Sequence, residues 1–230
     1  REKNWQPKEE IGKISYIADL RHIDLSTGNW LLLGRTKKIR NEKIESFLKD
    51  RGFWYGRGDH RPIVPSTLEA IETWQQLKSG SVVSLLEVKN LYNKIKTGTG
   101  IKRGGKTFKG EDEESLFTLE DLKNNHGLLV DGYWHEVMDK VSDFDITYLR
   151  RLERIGENIK GEPRIRVSTI HQAKGGECDN VVVLLDLGRL VYRSYMKNPD
   201  DEHRVFYVAV TRAKQNLYIV ESQQPEGYLI

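Results

Sequence analysis

Apolar and polar residues alternate differently in three successive stretches of this chain. In the first, Lys13 to Leu20 alternates enough for a strand, and Trp30 to Leu33 is wholly apolar until it stops at Gly34 and Arg35. A run with no polar face is the pattern of a strand buried on both sides. Lys37 to Arg51 then puts Ile44, Phe47 and Leu48 at helical spacing, with Gly52 as the C-terminal stop, and Phe53 to Tyr55 returns as a strand. Strand, helix, strand in that order predicts a βαβ unit, and so a parallel sheet with right-handed crossovers. Ahead of it, Arg1 to Glu10 is polar and proline-bearing and reads as a linker or a frayed entry.

From Arg61 to Pro163 the pattern shifts to helices and charged loops. Pro65, Ser66 and Glu69 predict a capping-box start, and Leu68, Ile71, Trp74 and Leu77 give that helix an apolar face. Ser84 to Ile95 predicts a second helix; Leu119 to Leu122, Tyr133 to Met138 and Phe144 to Ile155 predict more. The aromatics Trp74, Tyr133, Trp134 and Tyr148 fall at helical spacing, which favours core packing over base stacking.

This middle stretch contains Gly100, Gly105, Lys106 and Thr107 in the order G-x-x-x-x-G-K-T. A working phosphate loop needs a buried strand before it and a helix after it, because helix-terminal amides hold the phosphates. Asn93 to Thr97 is too polar for a central strand, and Gly110 with Glu111, Asp112, Glu113 and Glu114 opposes both helix and triphosphate. The segment reads instead as a basic loop. Lys94, Lys96, Lys102, Arg103, Lys106 and Lys109 form a run without an acid, open between phosphate contact and plain solvation.

In the third stretch Arg166 to Ile170 predicts a short strand, and Val181 to Leu185 a buried one. Between them, His171 to Asn180 carries an acid, a base, an imidazole and the glycine pair Gly175 and Gly176, which suits a polyanion or a nucleotide. Asp200 to Glu221 again couples a polar helix to an apolar run. Both pieces read as turns of one α/β sheet, with their polar side chains at the edge where ligands bind.

A length of 230 residues fits one large domain or one domain carrying an insertion. With 37 basic against 34 acidic residues the excess is only +3, so any case for nucleic acid must rest on local clustering. The single cysteine, Cys178, excludes an internal disulfide, and no apolar run approaches a membrane span. With no signal peptide at the start, a reducing cytoplasm is the expected location. Arg1 stands where an initiator methionine would, which suggests a piece of a longer protein.

Residue order narrows the function. Thr169, His171, Ala173, Lys174, Gly175 and Glu177 are followed by Glu202, Arg204, Tyr207, Val208, Ala209, Thr211, Arg212, Ala213 and Lys214. The two sets resemble motifs V and VI of the superfamily 1 DNA helicases of the UvrD, Rep and PcrA type. Leu33, Gly34, Arg35 and Thr36 resemble the shorter motif IV, with Gly34 in place of its tyrosine. Gly176 and His203 also depart from the family's pattern. The resemblance implies an α/β fold: a RecA-like parallel sheet flanked by helices and interrupted by a small, mainly helical insertion. Residues 1–60 would open this second motor domain, 61–163 form the insertion, and 164–230 complete the motor domain with motifs V and VI.

The activity that the resemblance implies is that of the C-terminal motor half of an ATP-dependent DNA helicase or translocase. Arg212 would meet the γ-phosphate as the catalytic group, and Arg35 would reach the same phosphates. An arginine suits that work because its charge is permanent and its fork holds two oxygens. Gly176 and Glu177 would lie at the nucleotide, with the carboxylate near the sugar. Thr169 and His171 would grip the backbone of single-stranded DNA without reading its sequence. Lys174 is open between DNA phosphate and loop packing. ATP and Mg2+ would be held mainly by the N-terminal RecA-like domain of the full-length protein, because this chain has neither a credible phosphate loop nor an Asp-Glu magnesium motif on an apolar strand. No metal site is expected here, and no ATP turnover by this chain alone. The rival readings are a non-catalytic nucleic-acid-binding module that keeps the motor fold, and a self-sufficient NTPase working through Lys106.

Overall fold

The computed structural model describes residues 11–159, 161–173 and 176–229. The chain divides into two units, one formed by Arg1–His60 with Arg151–Ile230, the other by Arg61–Arg150. The second division falls inside a helix, ahead of Pro163, where the sequence pattern set it.

The first unit starts with β1 (Lys13–Ile17) and β2 (Trp30–Gly34), every residue of which is buried. Thr36 caps the next helical segment, its Oγ1 accepting from the Ile39 amide at 3.2 Å. That segment runs as α1 (Lys37–Ile39), a π-helical turn (Arg40–Glu45) and α2 (Ser46–Arg51). Gly52 ends it in the left-handed region, φ 76°, and the Phe53 amide donates back to Leu48 O at 2.9 Å. Phe53 therefore still belongs to the helix cap, which is why β3 is Tyr55–Gly56 and starts later than the alternation suggests.

In the second unit, α3 (Pro65–Lys78) begins with Pro65 at its first position and Val64 as an N-cap without a side-chain bond. The capping box expected from Ser66 and Glu69 does not form. Proline supplies the start, because its fixed φ suits the first turn and its missing N–H leaves nothing unsatisfied, and the Glu69 carboxylate accepts from Asn90 at 3.3 Å instead. Capping boxes do form around Ser84 and Glu87, after the short strand β4 (Val83–Ser84) at the head of α4 (Leu85–Asn93), and around Thr118 and Asp121. Strand β5 (Leu116–Phe117) pairs antiparallel with β4, a two-stranded element the sequence pattern misses. The helices α5 (Leu119–Asn124), α6 (Trp134–Val137) and α7 (Asp143–Ile155) come next. Trp74, Trp134 and Tyr148 are buried as expected of core residues, whereas Tyr133 is 72% exposed.

The residues that spell a phosphate loop make none. No helix comes after them; turns lead to β5. A Cβ at Gly100 would stand 2.3 Å from the Ile95 side chain, and one at Gly105 would stand 2.9 Å from His126 O, so these glycines serve packing. Lys106 donates Nζ to Tyr92 O and, at 3.0 Å, to Ile95 O, satisfying carbonyls at the end of α4. Burial first, and Lys140 second, hold its ammonium below the ordinary lysine value.

The chain then completes the first unit with β6 (Ile165–Thr169), β7 (Cys178–Leu184), α8 (Arg189–Tyr195), α9 (Pro199–Val210) and β8 (Ala213–Val220). The six strands lie in the order β1-β8-β7-β2-β6-β3, every pairing parallel. The expected βαβ unit of β2 and β3 is thus present, but β6 stands between its strands. Alternation along the central strands sorts two cores. Leu31, Leu33, Val181 and Val183 pack with Phe206 and Ala209 of α9 on one face. Trp30, Leu32, Val182 and Leu184 pack with Ile39, Ile44 and Leu48 on the other. The result is a three-layer α/β/α unit.

Candidate functional site

Parallel pairing puts the C-terminal ends of β2 and β6 side by side, Gly34 opposite Thr169, so the segments leaving both strands emerge at one sheet edge. The Ile170 amide donates to Gly34 O at 3.1 Å and ties the two exits together. A Cβ at Gly34 would lie 3.1 Å from the Arg40 amide, tighter than an ordinary contact. Glycine at this position therefore lets the helical segment close over the end of β2.

Arg35, directly after β2, is locked onto α9. Its Nε donates to Glu202 Oε2 at 2.6 Å and its NH2 to Oε1 at 2.7 Å. Glu202 is 6% exposed, and a carboxylate that deep is tolerable only with such a partner. The Arg35 NH1 lies 3.4 Å from His171 Nδ1, so β2, the loop after β6, and α9 converge on one cluster. His171 is otherwise exposed.

The loop after β6 is shaped by Thr169 and Gln172. Thr169 Oγ1 donates to Gln172 Oε1 at 3.1 Å, and the Gln172 and Ala173 amides both donate to Thr169 O at 3.0 Å. At 6% exposure, the Thr169 hydroxyl works inside this turn. Lys174 and Gly175 lie outside the described residues. Gly176 is half-buried, and an added Cβ would meet only Ala173 O, at an ordinary 3.6 Å. Glu177 has an exposed side chain, and its carbonyl accepts from Arg166 NH2 at 3.1 Å.

Arg212 comes just after α9. Its carbonyl accepts from the Cys178 amide at 3.0 Å, which brings Arg212 beside the Glu177–Cys178 peptide at the start of β7. The half-buried guanidinium folds back over the end of its own helix, Nε donating to Val208 O at 3.0 Å and NH2 to Thr211 Oγ1 at 3.1 Å. A cation at a helix C-terminus is favoured there by the exposed carbonyls. Tyr207, on the same helix, is 64% exposed.

The structure thus joins Arg35 with His171, and Arg212 with the backbone next to Glu177. Two partners were missing from the sequence-derived site. Glu202 stands inside the quoted motif and could have been paired with a motif IV arginine by charge alone. Gln172, whose oxygen also accepts from Arg40 NH1 at 3.3 Å, carries no signal beyond its place in the loop.

Among the described residues no three carboxylate, imidazole or thiol groups cluster to hold a metal ion, and no helix is long and apolar enough to cross a membrane. The family model described as the UvrD-like helicase C-terminal domain matches residues 66–224, a span that starts after Arg35. No curated protein matches the chain.

Proposed function

The chain belongs to the UvrD-like helicase C-terminal domain family, and on that premise we propose that it is the second motor domain of an ATP-dependent, DNA-translocating enzyme. In this reading Arg212 swings from its helix-end carbonyls to the γ-phosphate of ATP held by an N-terminal motor domain. Phosphoryl transfer depends on positioning and on neutralising charge, so a mobile, permanently charged fork is the group such a pocket needs. Gly176 with Glu177, beside Arg212 at the starts of β7 and β8, would border the nucleotide, whereas Arg35, expected at the same phosphates, is held by Glu202 at the opposite, C-terminal end of the sheet and would not share them. Mg2+ would be held by the N-terminal motor domain. Single-stranded DNA would pass His171 and Lys174, with Thr169 closing the turn that presents His171.

The observation that carries the reading is that the two long motifs meet twice: at the C-terminal end of the sheet through the Arg35, His171 and Glu202 cluster, and at the starts of β7 and β8 through the bond from the Cys178 amide to Arg212 O. The test is DNA-stimulated ATP hydrolysis. The purified chain should show none, and the same chain joined to an N-terminal motor domain should turn over. In that joined enzyme Arg212→Ala should lower kcat by about 10³- to 10⁵-fold. Full activity of the Arg212→Ala enzyme, or robust turnover by the chain alone, would overturn the assignment.

A further inference from the structure

Arg166 lies outside the motifs that the sequence singled out, yet it holds the peptide on which two of them meet. It is the second residue of β6. Ile165 and Val167 on either side of it are buried in the core with Trp30 and Leu32, so Arg166 takes the other face of the sheet, beside Leu31 in register. From there its NH2 donates to Glu177 O at 3.1 Å. The amide of the same peptide, on Cys178, donates to Arg212 O at 3.0 Å. Because the C=O and N–H of a trans peptide point in opposite directions, Arg166 and Arg212 stand on either side of one planar group at the start of β7.

The groups left open there are complementary. Arg166 is exposed, grips a carbonyl rather than a carboxylate, and has no ion pair among the described residues. By contrast Arg35, Arg40, Arg57 and Arg164 each meet a carboxylate. The Glu177 side chain is likewise exposed and has no hydrogen-bond or ion-pair partner among the described residues. An unneutralised guanidinium and a free carboxylate therefore sit next to Arg212. That set matches a nucleoside polyphosphate, whose sugar hydroxyls donate to a carboxylate and whose phosphate oxygens accept from a guanidinium.

We propose that Arg166 is a nucleotide-binding residue: its guanidinium meets the phosphate chain next to the sugar that Glu177 borders, and its bond to Glu177 O holds it there. The inference rests on the motor reading and deepens it, because Arg166 supplies the second positive charge that Arg35, neutralised by Glu202, does not. A charge held ready by the main chain meets the phosphates equally before and during the reaction, so it acts on affinity rather than on the rate of the bound complex.

Steady-state ATP hydrolysis by the chain joined to an N-terminal motor domain tests it, with KM and kcat read separately. Arg166→Ala is expected to raise KM for ATP by about 10-fold and to keep kcat within about 2-fold, the pattern of a charge-assisted bond lost from both states. Arg166→Lys keeps the charge and should recover most of the affinity. Arg166→Gln keeps a donor toward Glu177 O without the charge and should resemble Arg166→Ala. If Arg166→Gln restores the wild-type KM, the residue serves only to hold the Glu177 carbonyl and the proposal is overturned. If all these variants keep the wild-type KM it is overturned too, while loss of turnover in Arg212→Ala leaves the motor reading standing. If Arg212→Ala keeps full activity, the motor reading and this inference fall together. Since Arg166 is exposed, its variants should unfold at the wild-type urea midpoint; a rise in KM that only follows a lowered midpoint also overturns the proposal.

Discussion

Arg35 and Glu202, 167 residues apart in sequence, face each other through two parallel hydrogen bonds of 2.6 and 2.7 Å. The pair fastens the end of β2 to α9 and so fixes one side of the candidate site. Removing one member strands the other: Glu202→Ala leaves a guanidinium with only 15% side-chain exposure and no counter-charge. Breaking such a pair should cost about 3 kcal/mol, read from urea unfolding. A double-mutant cycle with Arg35→Ala should show the two losses to be strongly non-additive.

Arg212 should behave in the opposite way. Among the described residues its side chain hydrogen-bonds carbonyl and hydroxyl oxygens at the end of α9. Arg212→Ala should therefore cost the chain about 1 kcal/mol or less in unfolding experiments, however large its effect on turnover in a two-domain enzyme. Arg212→Lys should retain the stability and not the rate, because a point charge does not reproduce the fork.

Lys106 separates the motor reading from a self-sufficient NTPase. Since its ammonium bridges Tyr92 O and Ile95 O, Lys106→Ala should lower the stability of the second unit by about 1 to 2 kcal/mol. Calorimetric titration with ATP should be the same before and after the change. Loss of nucleotide binding on Lys106→Ala would revive the phosphate-loop reading.

Asp131 gives a dependence on pH. Lys123 and Lys78 each donate to one of its oxygens and hold its carboxyl at about 2, below its ordinary 3.8. A lowered folded-state value means that the unfolded chain binds the proton first as pH falls. The contribution is complete above about pH 4 and is lost as pH falls toward 2. With Asp131 half-exposed, the magnitude should be about 0.5 kcal/mol, seen as a small excess in the acid loss of stability that Asp131→Asn removes.

Much of the sheet was legible because burial leaves a plain mark on strands. Trp30 to Leu33 and Val181 to Leu185 have no polar alternation, and both became central strands. Strand order was not legible, because pairing β2 with β6 is a relation between distant segments that no local period encodes. The burial of Arg40 was hidden for a different reason. It stands four residues before Ile44 on the buried face, but an arginine there reads as solvated until its partner Glu45 is seen. At the site, residue order pointed to Arg212, His171 and Arg35, while the partners that hold or shape them, Glu202 and Gln172, needed three-dimensional neighbours to be recognised.

The place of β2 in the sheet bears on how the protein comes to be made. Its neighbours on either side, β6 and β7, are synthesised only after the entire Arg61–Arg150 unit. A ribosome releasing this chain from its N-terminus exposes Trp30 to Leu33, with both backbone edges open, until residues near Leu184 have left the tunnel. Such late closure is slow and invites association between nascent chains, so rapid cooperative folding of the Arg61–Arg150 unit, and chaperone cover for β2, would govern how much soluble protein a cell obtains.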